Sequence, residues 1–238
     1  ATTYYNRLAQ RLTAAMSVPT AAGKLYDDDT RLRPQGAQGP LVVTLDSFER
    51  YQREEAWTWE HMALLRAGPV CGSDAAKREV ERIIADLLAP PRDPVKLAAD
   101  AAEMRDKIAA HKPPKGALDV KGGPGGLVDL EFAMQVTQLV SGQCHDPNIS
   151  AALACMRAAG LVPCEVIDAH GLLARMLVML RLTAPDGEPA TAAARGLVAA
   201  ACGEPGWPQL LAAHDQARQE IANWWASIRP AAPAQQEI

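Results

Sequence analysis

Within eight consecutive residues the chain carries three carboxylates and two guanidinium groups, in the order Asp27-Asp28-Asp29-Thr30-Arg31-Leu32-Arg33-Pro34. Successive side chains of a β-strand point to opposite faces. In a strand over 24–33, four of the charged side chains would share one face: Asp27, Asp29, Arg31 and Arg33. Carboxylate oxygens are ligands of Mg²⁺, and the guanidinium group of one arginine can bind two oxygens of a phosphate at once. The stretch therefore predicts a site for a metal ion and a polyphosphate.

The same stretch has a second interpretation, as a solvent-exposed edge strand. Charged side chains on an edge strand prevent it from pairing with a strand of another molecule. Mixtures of carboxylates and arginines are also common on solvated protein surfaces. The spacing of the residues does not separate these two interpretations, and both remain open from the residues alone.

A glycine-rich segment in front of a predicted helix is the second candidate site. It reads Asp119-Val-Lys-Gly-Gly-Pro-Gly-Gly-Leu-Val-Asp-Leu-Glu-Phe132. The backbone N–H groups of such a loop can face an anion, and Lys121 adds a positive charge for phosphate binding. It is not a Walker loop, because its lysine precedes the glycines and no Lys-Ser/Thr follows them. The pattern alone favours a tight connection between two helices, in which Asp129 stabilises the helix dipole.

An aromatic and acidic segment, Glu54 to His61, is the third candidate. Trp57 and Glu60 lie in it and could line a substrate pocket or contact a neighbouring domain, although core packing is the alternative for the tryptophans. The remaining histidines have no partners at metal-binding spacing. Cys144-His145 is interpreted as incidental, and Trp224-Trp225 as core.

Bulk composition excludes several classes of protein. The chain has 238 residues, of which 48% are hydrophobic and 22% charged, with a net charge of −4. This balance argues against a nucleic-acid or membrane-surface binder. The five cysteines are widely spaced, which predicts reduced thiols in a cytoplasmic protein. No stretch is long and apolar enough for a membrane span or a signal peptide. Because the chain lacks an initiator methionine and opens in a helical pattern, we interpret it as a piece of a longer protein.

Hydrophobic periodicity predicts mainly α structure with a small α+β part. A helix is expected over 3–16, strands over 24–33, 41–45 and 63–71, and a helical region from Asp46 or Ser47 to about His61. From residue 73 onward the pattern predicts helices only, arranged as an antiparallel bundle. Their expected starts are Ser73, Asp93-Pro94, Leu127 and positions near 148, 163, 190 and 207. Residues 230–238 are expected to be a disordered tail.

Two segments resemble the glutamine synthetase adenylyltransferase family: LYDDDTRLRPQGAQGPLVVTLDSFERYQREEAWTWEHMALLRA and DVKGGPGGLVDLEF. The resemblance extends to about residue 180, with the motifs in the family's order. These bifunctional bacterial enzymes contain two nucleotidyltransferase halves, of which one attaches AMP to a tyrosine of glutamine synthetase and the other removes it. The EAWTWEH form, and the Val-Asp before Leu-Glu-Phe, look more like the C-terminal, adenylylating half.

The resemblance implies the fold and the roles of the charged stretch. Residues 1–72 would be the C-terminal part of a nucleotidyltransferase domain similar to DNA polymerase β. Residues 73–229 would be a helical bundle similar to that of the PII uridylyltransferases. Asp29 would be a catalytic carboxylate and a ligand of Mg²⁺, while Arg31 and Arg33 would bind phosphates of the substrate ATP.

The resemblance also implies which parts of the enzyme and which partners to expect. Asp129 and Glu131 belong to the glycine-rich motif of the helical part. The partners would be glutamine synthetase and the PII signalling protein, with no nucleic acid and no membrane. The family's Gly-Ser and first Asp-x-Asp would lie before residue 1, so the isolated chain is expected to be inactive. Asp28 and Thr30 depart from the family, which usually has apolar residues there.

Two other functions remain open. The chain could be a non-catalytic docking module that binds PII or glutamine synthetase through its helical part. Alternatively, it could derive from the deadenylylating half of the same family, which cleaves the bond between AMP and tyrosine with phosphate.

Overall fold

The computed structural model describes residues 2–21, 23, 29–30, 32–184 and 187–229, and these residues are predominantly helical. One short 3-10 turn occupies Gly36–Gln38. Within the described ranges the α-helices are α1 Thr2–Ser17, α2 Leu45–Glu54, α3 Thr58–Leu64, α4 Asp74–Leu88, α5 Pro94–His111, α6 Leu127–Ser141, α7 Ile149–Ala158, α8 Cys164–Thr183, α9 Ala192–Ala201 and α10 Trp207–Ile228. The prediction of a mainly α chain is therefore confirmed.

The predicted strands are absent from the part of the chain that the structure describes. The strand expected over 24–33 lies largely outside the described residues. Those residues of the range that the structure describes do not belong to a strand. The prediction of a strand over 41–45 is wrong, because this segment has irregular backbone that leads into α2. The strand over 63–71 is wrong as well, because α3 continues to Leu64 and irregular backbone follows. The expected tail over 230–238 lies outside the described residues.

Side-chain caps explain why several helices begin where they do. The Ser73 hydroxyl accepts a hydrogen bond from the Ala76 N–H, and the Asp93 carboxylate accepts from the N–H groups that follow Pro94. Both caps confirm the sequence prediction. The cap expected for α2 at Asp46 or Ser47 is instead Thr44, whose hydroxyl accepts from the Ser47 N–H.

The described residues form two compact units, one from Ala1 to Pro90 and one from Pro91 onward. This division differs from the expected boundary after residue 72 by one helix, α4. In the first unit α4 packs against α2 and α3 through an apolar core. That core consists of Met62, Leu64, Leu65, Ile83, Leu87 and Leu88.

In the first unit, ion pairs and a polar contact supplement the apolar core. Arg82 of α4 forms salt bridges with its helix neighbours Glu79 and Asp86 and lies 3.6 Å from Glu49 of α2. No residue of α1 is buried. The side chain of Asn6 in α1 accepts a hydrogen bond from the Val42 N–H at 3.1 Å.

In the second unit, α6 is enclosed by its neighbours. Nine of its fifteen residues are buried, among them Leu130, Ala133 and Met134. It packs against α5, α8 and α10, and α8 also packs against α7, α9 and α10. Trp225 of α10 meets Phe132 of α6 edge to face at 6.0 Å, which confirms the prediction that Trp224 and Trp225 are core residues.

Two of the five cysteines are joined, contrary to the expectation of reduced thiols. Cys144 and Cys155 form a disulfide, with Cα atoms 5.5 Å apart. The helix that carries Cys155 turns back on the loop that carries Cys144, which the cysteine spacing alone does not reveal. Cys71 and Cys164 are exposed free thiols, and Cys202 is a buried one. The interpretation of Cys144 as incidental is therefore wrong.

Candidate functional site

Asp29, the predicted catalytic residue, is solvent-exposed and lies outside any helix. Its predicted neighbours on the strand face, Asp27 and Arg31, lie outside the described residues. Within the described ranges, no three side chains of His, Cys, Asp or Glu are grouped to hold a metal ion. The role of Asp29 as a ligand of Mg²⁺ therefore stays a prediction.

Arg33 fixes the turn that follows Asp29. Its Nε donates a hydrogen bond to the Gly39 carbonyl at 3.1 Å, and its Nη1 donates to both the carbonyl and the hydroxyl oxygen of Thr30. The turn closes tightly, because a Cβ atom at Gly39 would lie 2.0 Å from the Pro34 carbonyl oxygen. Two nitrogens of the guanidinium group thus donate hydrogen bonds within the same loop, and phosphate binding by Arg33 stays a prediction.

Trp57 and Glu60 occupy opposite environments at the start of α3. The Trp57 side chain is 72% exposed, whereas Glu60 is only 6% exposed. Glu60 Oε2 accepts hydrogen bonds from the Trp57 N–H at 2.9 Å and from the Tyr51 hydroxyl at 3.3 Å. Burial, together with the neighbouring Glu60 carboxylate, raises the pKa of Tyr51. Glu60 therefore caps α3 and ties it to α2, while Trp57 remains available for contact.

The glycine-rich loop is organised around the Asp119 carboxylate. Oδ2 accepts the Lys115 N–H at 3.0 Å, and Oδ1 accepts the N–H groups of Lys121 and Gly122 at 3.1 and 2.8 Å. Burial acts to raise the pKa of Asp119, but the three N–H donors outweigh it and hold the pKa below its usual value. The N–H groups that could bind an external anion therefore already donate hydrogen bonds to this carboxylate.

Asp129 closes the other end of the same loop from the first turn of α6. It is 5% exposed, its Oδ2 accepts the Gly125 N–H at 2.6 Å, and its Oδ1 lies 2.5 Å from Arg105 Nε. Arg105 also donates through Nη2 to the Gly122 carbonyl at 3.1 Å. A buried ion pair thus connects α5, the loop and α6.

Arg218 of α10 covers the loop from outside. Its Nε donates to the Pro124 carbonyl at 2.8 Å, and its Nη1 lies 3.4 Å from the Ala117 carbonyl. A Cβ atom at Gly125, whose φ is +70°, would lie 2.0 Å from the Arg218 carbonyl oxygen. Only glycine permits both this backbone conformation and this close approach.

The predicted site residues therefore fall into separate groups. Asp129 takes part in the buried network, whereas Lys121 is exposed and Glu131 half-buried. Sequence reasoning missed Arg105 and Arg218. The detectable signal was weak: Arg105 interrupts the apolar face of α5, where a charge needs a buried partner.

None of the helices in the described ranges is long and apolar enough to cross a lipid bilayer.

Two family models match the chain, one over each of the two segments singled out above. The model for glutamate-ammonia ligase adenylyltransferase matches residues 1–83. The model for GlnD PII-uridylyltransferase matches residues 102–184. The first range contains Asp29 and Arg33, and the second contains Arg105, the glycine-rich loop and α6.

Curated proteins described as bifunctional glutamine synthetase adenylyltransferase/adenylyl-removing enzymes are similar to this chain. The protein from Brucella suis biovar 1 is 53% identical over 136 residues, covering 57% of this chain and 14% of the relative. The protein from Rhizobium meliloti is 42% identical over 217 residues, covering 87% and 22%. The protein from Caulobacter vibrioides is 45% identical over 183 residues, covering 75% and 18%. The chain thus spans between 14% and 22% of the length of these relatives.

Proposed function

Because this chain belongs to the glutamine synthetase adenylyltransferase family, we propose that it is part of an enzyme that transfers AMP from ATP to a tyrosine of glutamine synthetase. The observation that carries the proposal is the order of the two matched family models, an adenylyltransferase segment followed by a uridylyltransferase segment. The form of the EAWTWEH and Val-Asp-Leu-Glu-Phe motifs supports assignment to the adenylylating half. The complete enzyme would act in the cytoplasm, with glutamine synthetase and PII as partners.

Asp29 carries the chemical part of the proposal. In the complete enzyme, its exposed carboxylate would bind one Mg²⁺ or accept the proton of the attacking tyrosine hydroxyl. A bound Mg²⁺ would neutralise negative charge on the phosphates of ATP. Arg33 holds the turn that presents Asp29, and Arg31 would add a positive charge for the phosphates. The exposed Trp57 offers a surface for glutamine synthetase or a neighbouring domain.

An Asp29→Asn substitution in the full-length enzyme tests this role. We expect adenylylation of glutamine synthetase, followed with radiolabelled ATP, to fall by at least about 100-fold, because the amide can neither bind a metal strongly nor accept the proton. Asp46→Asn, which alters an exposed carboxylate at the start of α2, serves as the matched control and should retain activity. Full activity of the Asp29→Asn enzyme would refute the assignment.

A second experiment concerns the 238-residue chain by itself. A single predicted catalytic carboxylate does not make the three-carboxylate site that the family resemblance implies. We therefore expect negligible transfer of AMP when the chain is incubated with Mg-ATP and glutamine synthetase. Clear adenylylation would mean that the site is complete within this chain and that the proposed division of the enzyme is wrong.

The second candidate function is docking without chemistry. The hydrogen bonds of Asp119 and Asp129 to N–H groups of their own loop favour docking for the second unit, because this loop has few donors left for a nucleotide. A pull-down with PII or glutamine synthetase, compared with a titration of ATP, separates the two functions. Release of AMP from adenylylated glutamine synthetase by phosphate would instead assign the parent enzyme's activity to the deadenylylating half.

A further inference from the structure

The Cys144–Cys155 disulfide joins two elements of the second unit that are also held separately. Cys144 lies in the loop between α6 and α7, and Cys155 lies within α7. The inner face of α7 packs through Ala152, Leu153 and Met156, all of which are buried. Removal of the covalent bond therefore leaves α7 anchored in the core and affects chiefly its link to the loop.

The loop itself is held by Gln138 of α6. Gln138 is fully buried, and its Nε2 donates a hydrogen bond to the Cys144 carbonyl at 2.6 Å. The ring Nε2 of His145 lies 3.3 Å from the Gln138 carbonyl. Cys144 has a φ of +60°, in the left-handed region that residues other than glycine rarely adopt. Such a conformation persists only where several restraints act together, and the disulfide is one of them.

The bond is open to small thiols from solvent. Cys155 is exposed on the outer face of α7, and Cys144 is half-buried beside it. Structural disulfides are resistant to reduction where the sulfur atoms are inaccessible, whereas exposed ones exchange more readily. The position of Cys155 therefore gives a reductant access without unfolding of the helix.

We propose that the Cys144–Cys155 disulfide is a reversible, redox-sensitive latch that restrains the loop between α6 and α7. A thiolate of a small dithiol attacks the Cys155 sulfur and breaks the bond to Cys144, which leaves as a thiolate and takes a proton from solvent. The second thiol of the reductant then releases Cys155 and completes a cyclic disulfide. Two electrons pass from the dithiol to the protein, and both cysteines end as thiols.

Reduction of the disulfide removes one of the restraints on Cys144. The hydrogen bond from Gln138 is then the main remaining restraint on this residue. The loop then opens more often, while the buried part of the unit is retained. We expect backbone amides of 142–155 to exchange hydrogen at least about tenfold faster in the reduced protein, and amides of α8 to be unchanged.

The experiment counts thiols and measures amide exchange on the same samples. Alkylation after denaturation should label three thiols in the oxidised chain and five after dithiothreitol. Oxidised glutathione should restore both the count and the slow exchange. Labelling of five thiols before any reductant is added, in protein equilibrated with oxidised glutathione, would overturn the proposal. So would a reduced protein whose loop exchanges as slowly as that of the oxidised one.

Two variants separate the latch from general thiol effects. Cys155→Ser should show the fast loop exchange with and without dithiothreitol. Cys164→Ser, which alters an exposed cysteine at the start of α8, should respond to the reductant as the wild type does. A Cys155→Ser loop that keeps slow exchange while the α8 amides stay protected contradicts the proposal, and fast exchange confined to the loop supports it.

Discussion

The guanidinium group of Arg105 and the carboxylate of Asp129 form an ion pair of which both side chains are at least nine-tenths buried. The remaining carboxylate oxygen accepts the Gly125 N–H, and a second guanidinium nitrogen reaches the Gly122 carbonyl. Both charges are thus compensated within the second unit. Such a pair adds little net stability when complete, but removal of one partner is costly.

Arg105→Ala should lower the free energy of unfolding by about 3–5 kcal/mol, because the Asp129 carboxylate stays buried without its counter-charge. Urea denaturation followed by circular dichroism measures the change. Lys107→Ala breaks an exposed pair with Glu103 on the same helix and should cost less than about 0.5 kcal/mol. A loss below about 1 kcal/mol for Arg105→Ala would show that the carboxylate finds another partner.

Gly125→Ala should destabilise the chain by more than about 2 kcal/mol, because the added methyl group meets the Arg218 carbonyl and the backbone is left-handed. The matched control is Gly196→Ala in α9, where a Cβ atom meets nothing within 4 Å. Alanine should raise the stability of that helix by roughly 0.5–1 kcal/mol. Thermal unfolding of both variants would rank them, and the reverse order would contradict the close packing of α10 on the loop.

Glu60→Ala should cost about 1–2 kcal/mol, because the N–H of Trp57 and the hydroxyl of Tyr51 lose their acceptor. The pKa of Tyr51 should also fall towards its ordinary value, since the neighbouring carboxylate contributes to raising it. Nuclear magnetic resonance of ¹³C-labelled tyrosine follows this titration. The exposed Glu54 supplies the control, and Glu54→Ala should leave Tyr51 as it is. An unchanged Tyr51 titration in Glu60→Ala would exclude the proposed hydrogen bond.

The stability of the chain should fall as the solution is acidified below about pH 6.5, the ordinary pKa of histidine. Burial lowers the pKa of His170, and burial with the nearby Arg218 lowers that of His214. The unfolded chain therefore binds protons that the folded chain excludes, and the stability present above pH 6.5 is lost as pH decreases. His214→Gln should show a shallower dependence of the unfolding free energy on pH between 5 and 7. A slope equal to that of the wild type would mean that His214 binds its proton equally well in the folded and the unfolded chain.

The helices of this protein were predictable because their signals are local. The apolar spacing of α8 and α10 and the caps at Ser73 and Asp93 lie within the segments they define. The strands were not predictable in the same way. A short apolar run such as 41–45 or 63–71 does not distinguish a strand from the approach or the end of a helix. In the structure both runs lie at helix boundaries, because Thr44 caps the start of α2 and α3 continues to Leu64.

The candidate site was predictable in its residue types but not in its partners. Asp119 and Asp129 lie within the glycine-rich motif, and each accepts hydrogen bonds from backbone N–H groups two to four positions away. Arg105 and Arg218 reach the motif from 17 and 94 positions away, and no spacing rule connects them to it. The disulfide escaped prediction for the same reason, since cysteine spacing does not fix which pairs meet in space.

The contact between Arg218 and Pro124 has a consequence for how the protein can be shortened. A stop codon placed between residues 184 and 207 would keep the whole segment matched by the uridylyltransferase model. It would also delete the helix against which the glycine loop is built. The segment that the family model recognises is therefore shorter than the set of elements that pack around the glycine loop.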